Sequence, residues 1–364
     1  MRSAVFLLCS ALCWPAGAGE SSAACRGDLD ALPSFLAAND TGAPEHIAQQ
    51  GQAVFDAALA DARFRADSIA DDRGCEEVLR AYLRTYRRGH LGVTTIDRER
   101  DTTAMPAPTV DDAKAPRFRV LSPQTALLVL PTFGDRYAPL IAALVESHRS
   151  ELRSRPNLII DVRRNGGGSD SSYAPLLPIL AANTTRTPGA EFLATPANIA
   201  ASEAVCKLPT VDAQTCERFM RPVIDAMRAA PAGSYVLPVS EAAVNVETPR
   251  RNWPRPQRVA LMIDHGCGSS CEEFVLIARQ SFKVKTFGRP TAGSLDYSNL
   301  RPHDLPSGRR RLFYATSRSL RLPLLAVDAA GIAPDQLLSA PQGEAAFAVE
   351  IETVRRVLES APSR

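Results

Sequence analysis

The segment Val259-Ala-Leu-Met-Ile-Asp-His-Gly-Cys-Gly-Ser-Ser-Cys-Glu-Glu-Phe274 runs an apolar strand into a turn of small residues that lifts Ser269 to the start of a helix. A serine hydroxyl attacks a carbonyl only when a base removes its proton, and the oxyanion that forms needs N–H donors aimed at it. A strand-to-helix turn supplies an exposed Oγ and the unpaired N–H groups of a helix N-terminus together. Gly266 and Gly268 permit the tight turn. The same Gly-Ser-Ser stretch also suits an ordinary helix cap. A second segment, Pro156-Asn-Leu-Ile-Ile-Asp-Val-Arg-Arg-Asn-Gly-Gly-Gly-Ser169, reads as another buried strand ending in three glycines, Gly166 to Gly168. Such a turn can bring bare backbone N–H groups up to a ligand, and it is equally compatible with a flexible connection.

Taken together, Leu158-Ile-Ile-Asp-Val-Arg-Arg-Asn-Gly-Gly-Gly168, Ser269-Ser-Cys-Glu272, Phe287-Gly-Arg-Pro-Thr-Ala-Gly293, Ala315-Thr-Ser317 and Asp328-Ala-Ala-Gly-Ile-Ala-Pro-Asp335 resemble, in family order, the serine peptidases that include tail-specific or C-terminal-processing proteases, the tricorn core and interphotoreceptor retinoid-binding protein. The resemblance covers about residues 76–360 and implies an α/β fold, a crotonase-like ββα spiral core with an N-terminal helical subdomain. It also implies roles. Ser269 is the expected nucleophile, and the oxyanion hole is expected from the N–H of Ser270 with that of Gly166 or Gly167.

The tail-specific branch takes its base from a lysine directly after the Gly-x-Pro-Thr-x-Gly turn, where this chain has Ser294. Lys283 and Lys285 read as solvent-side residues of a strand. The tricorn-like branch takes a histidine from an N-terminal helical region and an acid near the C-terminal end, which points to His90, after Gly89, as the base and to Asp328 as the acid that orients it. A helix-terminal role for His90 and a turn-forming role for Asp328 are the alternatives. Glu272 reads as a cap or local anchor of the helix that follows Ser269. His265 precedes the nucleophile turn, and His46, His148 and His303 have no second metal ligand at useful spacing, so no metal or other cofactor is expected.

The chain opens with a single positive charge, a short apolar run and Ala16-Gly-Ala18, the pattern of a secretory signal peptide over residues 1–18, and this points to a periplasmic or secreted protein. Two of the eight cysteines, Cys9 and Cys13, lie in that leader. The six others suit an oxidising compartment, where proximity in sequence pairs Cys206 with Cys216 and Cys267 with Cys271, leaving Cys25 for Cys75. A formal net charge of +2 without a basic aromatic stripe does not suit nucleic acid.

These sites need elements to hold them. Residues 19–97 show helical spacing of apolar side chains and read as a helical subdomain; residues 98–116 are polar and proline-bearing and read as a linker, too short for an inserted PDZ module. The expected peptidase core runs over 117–360. Strands are expected at Phe118–Leu121, Ala126–Leu130 and Leu158–Val162, and helices at Tyr137–Ser154 and Tyr173–Ala182. Residues 183–255 are longer than a connection needs and read as a capping insertion. The expected activity is peptide-bond hydrolysis through an acyl-enzyme, with a peptide or unfolded protein as substrate. A non-catalytic peptide- or lipid-binding protein on the same fold is the alternative.

Overall fold

The structure is a computed structural model that describes residues 16–96, 110–207, 213–238, 242–249, 253–340 and 342–360. The leader lies outside the described residues except for its last three, at the start of helix α1 (Ala16–Asn39), and most of the expected linker lies outside them too.

The central sheet has the order β13-β10-β9-β4-β3-β2. Its two middle strands, β4 (Asn157–Asp161) and β9 (Arg258–Ile263), are almost continuously apolar and buried, as strands covered on both faces must be. They pair in parallel with Ile160 opposite Leu261. On their outer sides β3 (Thr125–Val129) and β10 (Val284–Gly288) also run parallel, while β2 (Arg117–Val120) closes one edge antiparallel and β13 (Gln336–Leu337) closes the other. Alternate side chains along the strands enter two different cores. Leu158, Ile160, Val259, Leu261 and Ile263 pack with Phe133 and Phe274 on one face. Ile159, Ala260 and Met262 meet Val354 and Leu358 of the C-terminal helix (Glu344–Ser360) on the other.

The second sheet is built around the long strand β12 (Arg310–Ser319). Antiparallel β11 (Tyr297–Asp304) lies on one side, and β1 (Gly92–Thr95) and β6 (Ala190–Leu193) share the other; β7 (Tyr235–Val236) extends β6. Leu29, Leu32 and Leu36 of α1 pack with Phe55 of α3 (Gln52–Ala66), with Leu79 and Leu83 of α4 (Asp72–Leu83), and with Leu312 and Tyr314 of β12. The N-terminal helices are therefore docked on this sheet. The Cys25–Cys75 disulfide ties α1 to α4.

Two expected helices are shorter than the sequence suggests. The Tyr137–Ser154 helix is two, α5 (Ala138–Ser147) and α6 (Arg149–Ser154), separated at His148, which leaves helical geometry (φ −107°, ψ 21°) and stacks on Phe118. The Tyr173–Ala182 helix is a 3-10 turn, Ala174–Leu176, followed by a single turn, α7 (Leu177–Leu180). Pro175 and Pro178 supply no N–H there, which limits the helix to short turns. Within 183–255 the described residues form the two-stranded ribbon β5 (Thr185–Pro188)/β8 (Val244–Glu247), the strands β6 and β7, and helices α8 (Pro196–Val205) and α9 (Ala213–Ala229), with Cys206 bonded to Cys216.

Candidate active site

Ser269 is the N-cap of helix α10 (Ser270–Ala278), with φ 57° and ψ −128°. A non-glycine residue adopts a positive φ only when its surroundings force it to. Here the Ser269 N–H donates to the Ser294 carbonyl (3.0 Å), with Glu272 Oε2 at 3.3 Å. The Cys267–Cys271 disulfide, with Cα atoms 5.4 Å apart, brackets the turn.

The glycine-rich turn after β4 lies against this elbow. A Cβ on Gly167 (φ +92°) would fall 2.6 Å from the Gly268 carbonyl, 2.8 Å from Ser269 Cβ and 3.0 Å from the Ser270 nitrogen, so only glycine fits. Ser270 Oγ donates to the Gly168 carbonyl (3.1 Å) and fastens the two segments together. The Gly167 N–H is committed to Asn165 Oδ1 (2.9 Å). Of the two glycines singled out from the sequence, Gly166 is therefore the one whose N–H donates to none of the described residues.

Glu272, fully buried, explains how Ser269 is tied to the Gly288–Gly293 turn. Its Oε1 accepts from Thr291 Oγ1 (2.5 Å) and the Gly293 N–H (2.8 Å), and its Oε2 from the Ser294 N–H (2.8 Å). A carboxylate that accepts this many hydrogen bonds is an anchor and has no lone pair to spare for proton transfer.

His90 follows α4 and also has a positive φ, 51°. Its Nδ1 lies 2.5 Å from the Tyr297 carbonyl oxygen. A carbonyl only accepts, so Nδ1 carries the proton and Nε2 the lone pair. Burial, with the Arg87 charge as a smaller contribution in the same direction, lowers the His90 pKa below its ordinary 6.5, although the hydrogen bond to Tyr297 opposes this. Arg87 sits under the loop: Nε donates to the Gly89 carbonyl (3.1 Å) and Nη2 to the His90 carbonyl (3.0 Å). Asp40 neutralises it in a buried two-pronged pair and also accepts from the Ala315 N–H of β12 (3.1 Å). This Arg87–Asp40 support was not read from the sequence. The only local signal is Arg87 itself, three residues before the histidine.

Ser269 and Gly89, the residue before His90, are both seated on Ser294. Its carbonyl accepts the Ser269 N–H, and its side chain fills the space beside Gly89, where a Cβ would come within 2.2 Å of Ser294 Oγ. Among the described residues no hydrogen bond joins the side chains of Ser269 and His90; the connection runs through the 294–297 segment.

Asp328 grips that segment. Its Oδ1 accepts from the N–H groups of Leu295 (2.5 Å) and Asp296 (2.7 Å), while Asp296 Oδ2 accepts in return from those of Val327 (2.5 Å) and Asp328 (2.8 Å). Asp328 thus holds the backbone just before Tyr297, and among the described residues its side chain makes no hydrogen bond to His90. Desolvation raises its pKa from 3.8 to about 6, against the two backbone hydrogen bonds. Arg321 joins Asp296 to Glu273 in the first turn of α10. Lys283 points elsewhere, with Nζ on the Trp253 carbonyl (2.6 Å), and Lys285 and His265 are exposed.

Residues 124–338 match the model of Peptidase family S41. No curated protein gives a significant match. Among solved structures, mature CPAF aligns with a TM-score of 0.62 at 12% identity, covering 93% of this chain and 96% of that one. CPAF complexed with lactacystin gives 0.64 at 12% identity, over 93% and 98%. A candidate peptidase from Parabacteroides merdae gives 0.56 at 15% identity, over 93% and 99%. At such identities these likenesses speak for the fold, which is common to all three.

Proposed function

The chain belongs to peptidase family S41 and is a serine peptidase, and from that premise we propose that Ser269 is its nucleophile, His90 its general base and Asp328 the acid that orients the base through the 295–297 backbone. The observation that carries this reading is the seating of Ser269 and Gly89 on the same residue, Ser294, with the His90 tautomer fixed by the Tyr297 carbonyl.

His90 Nε2 takes the proton of Ser269 Oγ as the oxygen attacks the carbonyl carbon of the scissile bond. The oxyanion is received by the N–H groups of Ser270, at the first position of α10, and Gly166, reinforced by the positive end of the helix. The imidazolium formed keeps its Nδ1–H on the Tyr297 carbonyl and gives the Nε2 proton to the leaving amine. Water then enters by the same base and releases the acyl group. The substrate is a peptide or unfolded protein. Three disulfides, together with the leader-like first 18 residues, support a periplasmic or secreted location.

A fluorophosphonate probe is expected to label Ser269, identified by peptide mass spectrometry, and Ser269→Ala is expected to abolish both labelling and peptide hydrolysis. Labelling at Ser270, or hydrolysis that survives in Ser269→Ala, refutes the assignment.

A further inference from the structure

Behind the nucleophile helix lies a pocket of about 670 Å³ that the peptidase chemistry does not use. Its walls are Leu177, Pro178 and Leu180 of α7, Ile277 and Ala278 at the far end of α10, and Trp253. The nine residues of α10 separate it from Ser269 by about 13 Å at 1.5 Å per residue. Protein interiors close-pack, and a space of this size with aliphatic and aromatic walls has the dimensions of a small-molecule site.

The charges around it are unequally distributed. Arg149, at the rim, and Arg153, one helical turn on, both lie over the Trp253 ring, 5.7 and 5.3 Å from its centroid. Arg149 has only an exposed pairing with Glu146, at 3.2 Å, which holds it weakly, and Arg153 has no acidic partner among the described residues. Trp253 itself is 9% exposed and held at its carbonyl by Lys283. One acid, the exposed Glu247, stands on the rim as well. It disfavours a dianionic head such as a phosphate, whereas a single negative charge can be placed on the arginine side.

We propose that this pocket binds a monocarboxylate amphiphile, its aliphatic chain between α7 and α10 and its carboxylate at Arg149. The guanidinium offers two parallel N–H groups that match a carboxylate, and burying each methylene of the chain adds to the affinity. The site is independent of the catalytic assignment and is read without any turnover.

Trp253 emission reports occupancy. Dodecanoate is expected to change it saturably, with dodecylamine and dodecyl phosphate at least about tenfold weaker, and Trp253→Phe is expected to lose the signal. Arg149→Gln should weaken dodecanoate about tenfold, as the loss of a charge-assisted bond does, and bring it level with dodecanol. Ala182→Phe, which fills the pocket, should abolish binding in a protein whose circular dichroism and melting temperature show it folded. Equal binding of dodecylamine and dodecanoate, unchanged affinity in Arg149→Gln, or unchanged binding in folded Ala182→Phe overturns the proposal.

Discussion

The Nδ1 of His90 lies 2.5 Å from the main-chain carbonyl oxygen of Tyr297. This contact leaves Nε2 unprotonated and makes the orientation of His90 depend on the position of one strand, β11, rather than directly on an acidic side chain. Asp328 and Asp296 then act as a reciprocal clamp that fixes where that strand begins.

The pH profile should show it. A base works when neutral, and burial lowers the His90 pKa below 6.5, so the acidic limb of kcat/KM should fall below pH 6.5 instead of at it. His90→Ala should reduce kcat by about 10²–10⁴-fold with the fold intact. A limb that persists in His90→Ala would assign the titration to another group.

Arg87 holds the His90 loop through the carbonyls of Gly89 and His90. Arg87→Met releases the Gly89 and His90 carbonyls and leaves the buried Asp40 without its counter-ion, held only by backbone N–H groups, so both stability and turnover should fall, the first by about 3 kcal/mol. The double variant Arg87→Met/Asp40→Asn should recover part of the stability but not kcat, as measured by denaturant unfolding alongside steady-state kinetics.

Asp328 contributes a pH-dependent stability of its own. Its pKa is raised in the folded protein from 3.8 to about 6, so folding favours the protonated carboxyl. The associated stability is complete below pH 3.8 and is lost as the pH rises through about 6. Asp328→Asn should remove this downward slope between about pH 4 and 6 in a series of melting curves. It should also lower kcat more than it changes KM, since the N–H groups of Leu295 and Asp296 would donate to a neutral amide oxygen in place of a carboxylate.

Gly167→Ala tests the contact between the glycine turn and the elbow. The added methyl would meet the Gly268 carbonyl at 2.6 Å, at a backbone φ of +92°, so the turn must withdraw from Ser270. Fluorophosphonate labelling should slow at least tenfold, about 1.4 kcal/mol in the barrier, and more than the loss of stability explains.

Replacing Cys267 and Cys271 by serine opens a loop spanning four residues, for which the chain-entropy contribution is about 2 kcal/mol at most. The bridge holds the turn that aims Ser269. The double variant should remain folded by circular dichroism and lose turnover out of proportion to its melting temperature.

Much of this was legible in the chain before any coordinates. The apolar runs ending at Asp161 and Ile263 are buried strands because only a sheet covered on both faces accepts them, and the small residues after each can only be turns. The turn at Ser269, the three glycines after β4 and the pairs Cys206–Cys216 and Cys267–Cys271 follow from local pattern and proximity in sequence, and Cys25–Cys75 is the pair left over. The tertiary structure alone decided what holds His90. Arg87 and Asp40 are 47 residues apart and meet only because α1 and α4 pack on one core. Likewise Tyr297 reaches His90 across 207 residues through a backbone carbonyl, and a carbonyl is the same in every residue. Side-chain type records which group could do chemistry. It carries no trace of a main-chain acceptor, whose position is set by strand register and by packing between elements distant in sequence.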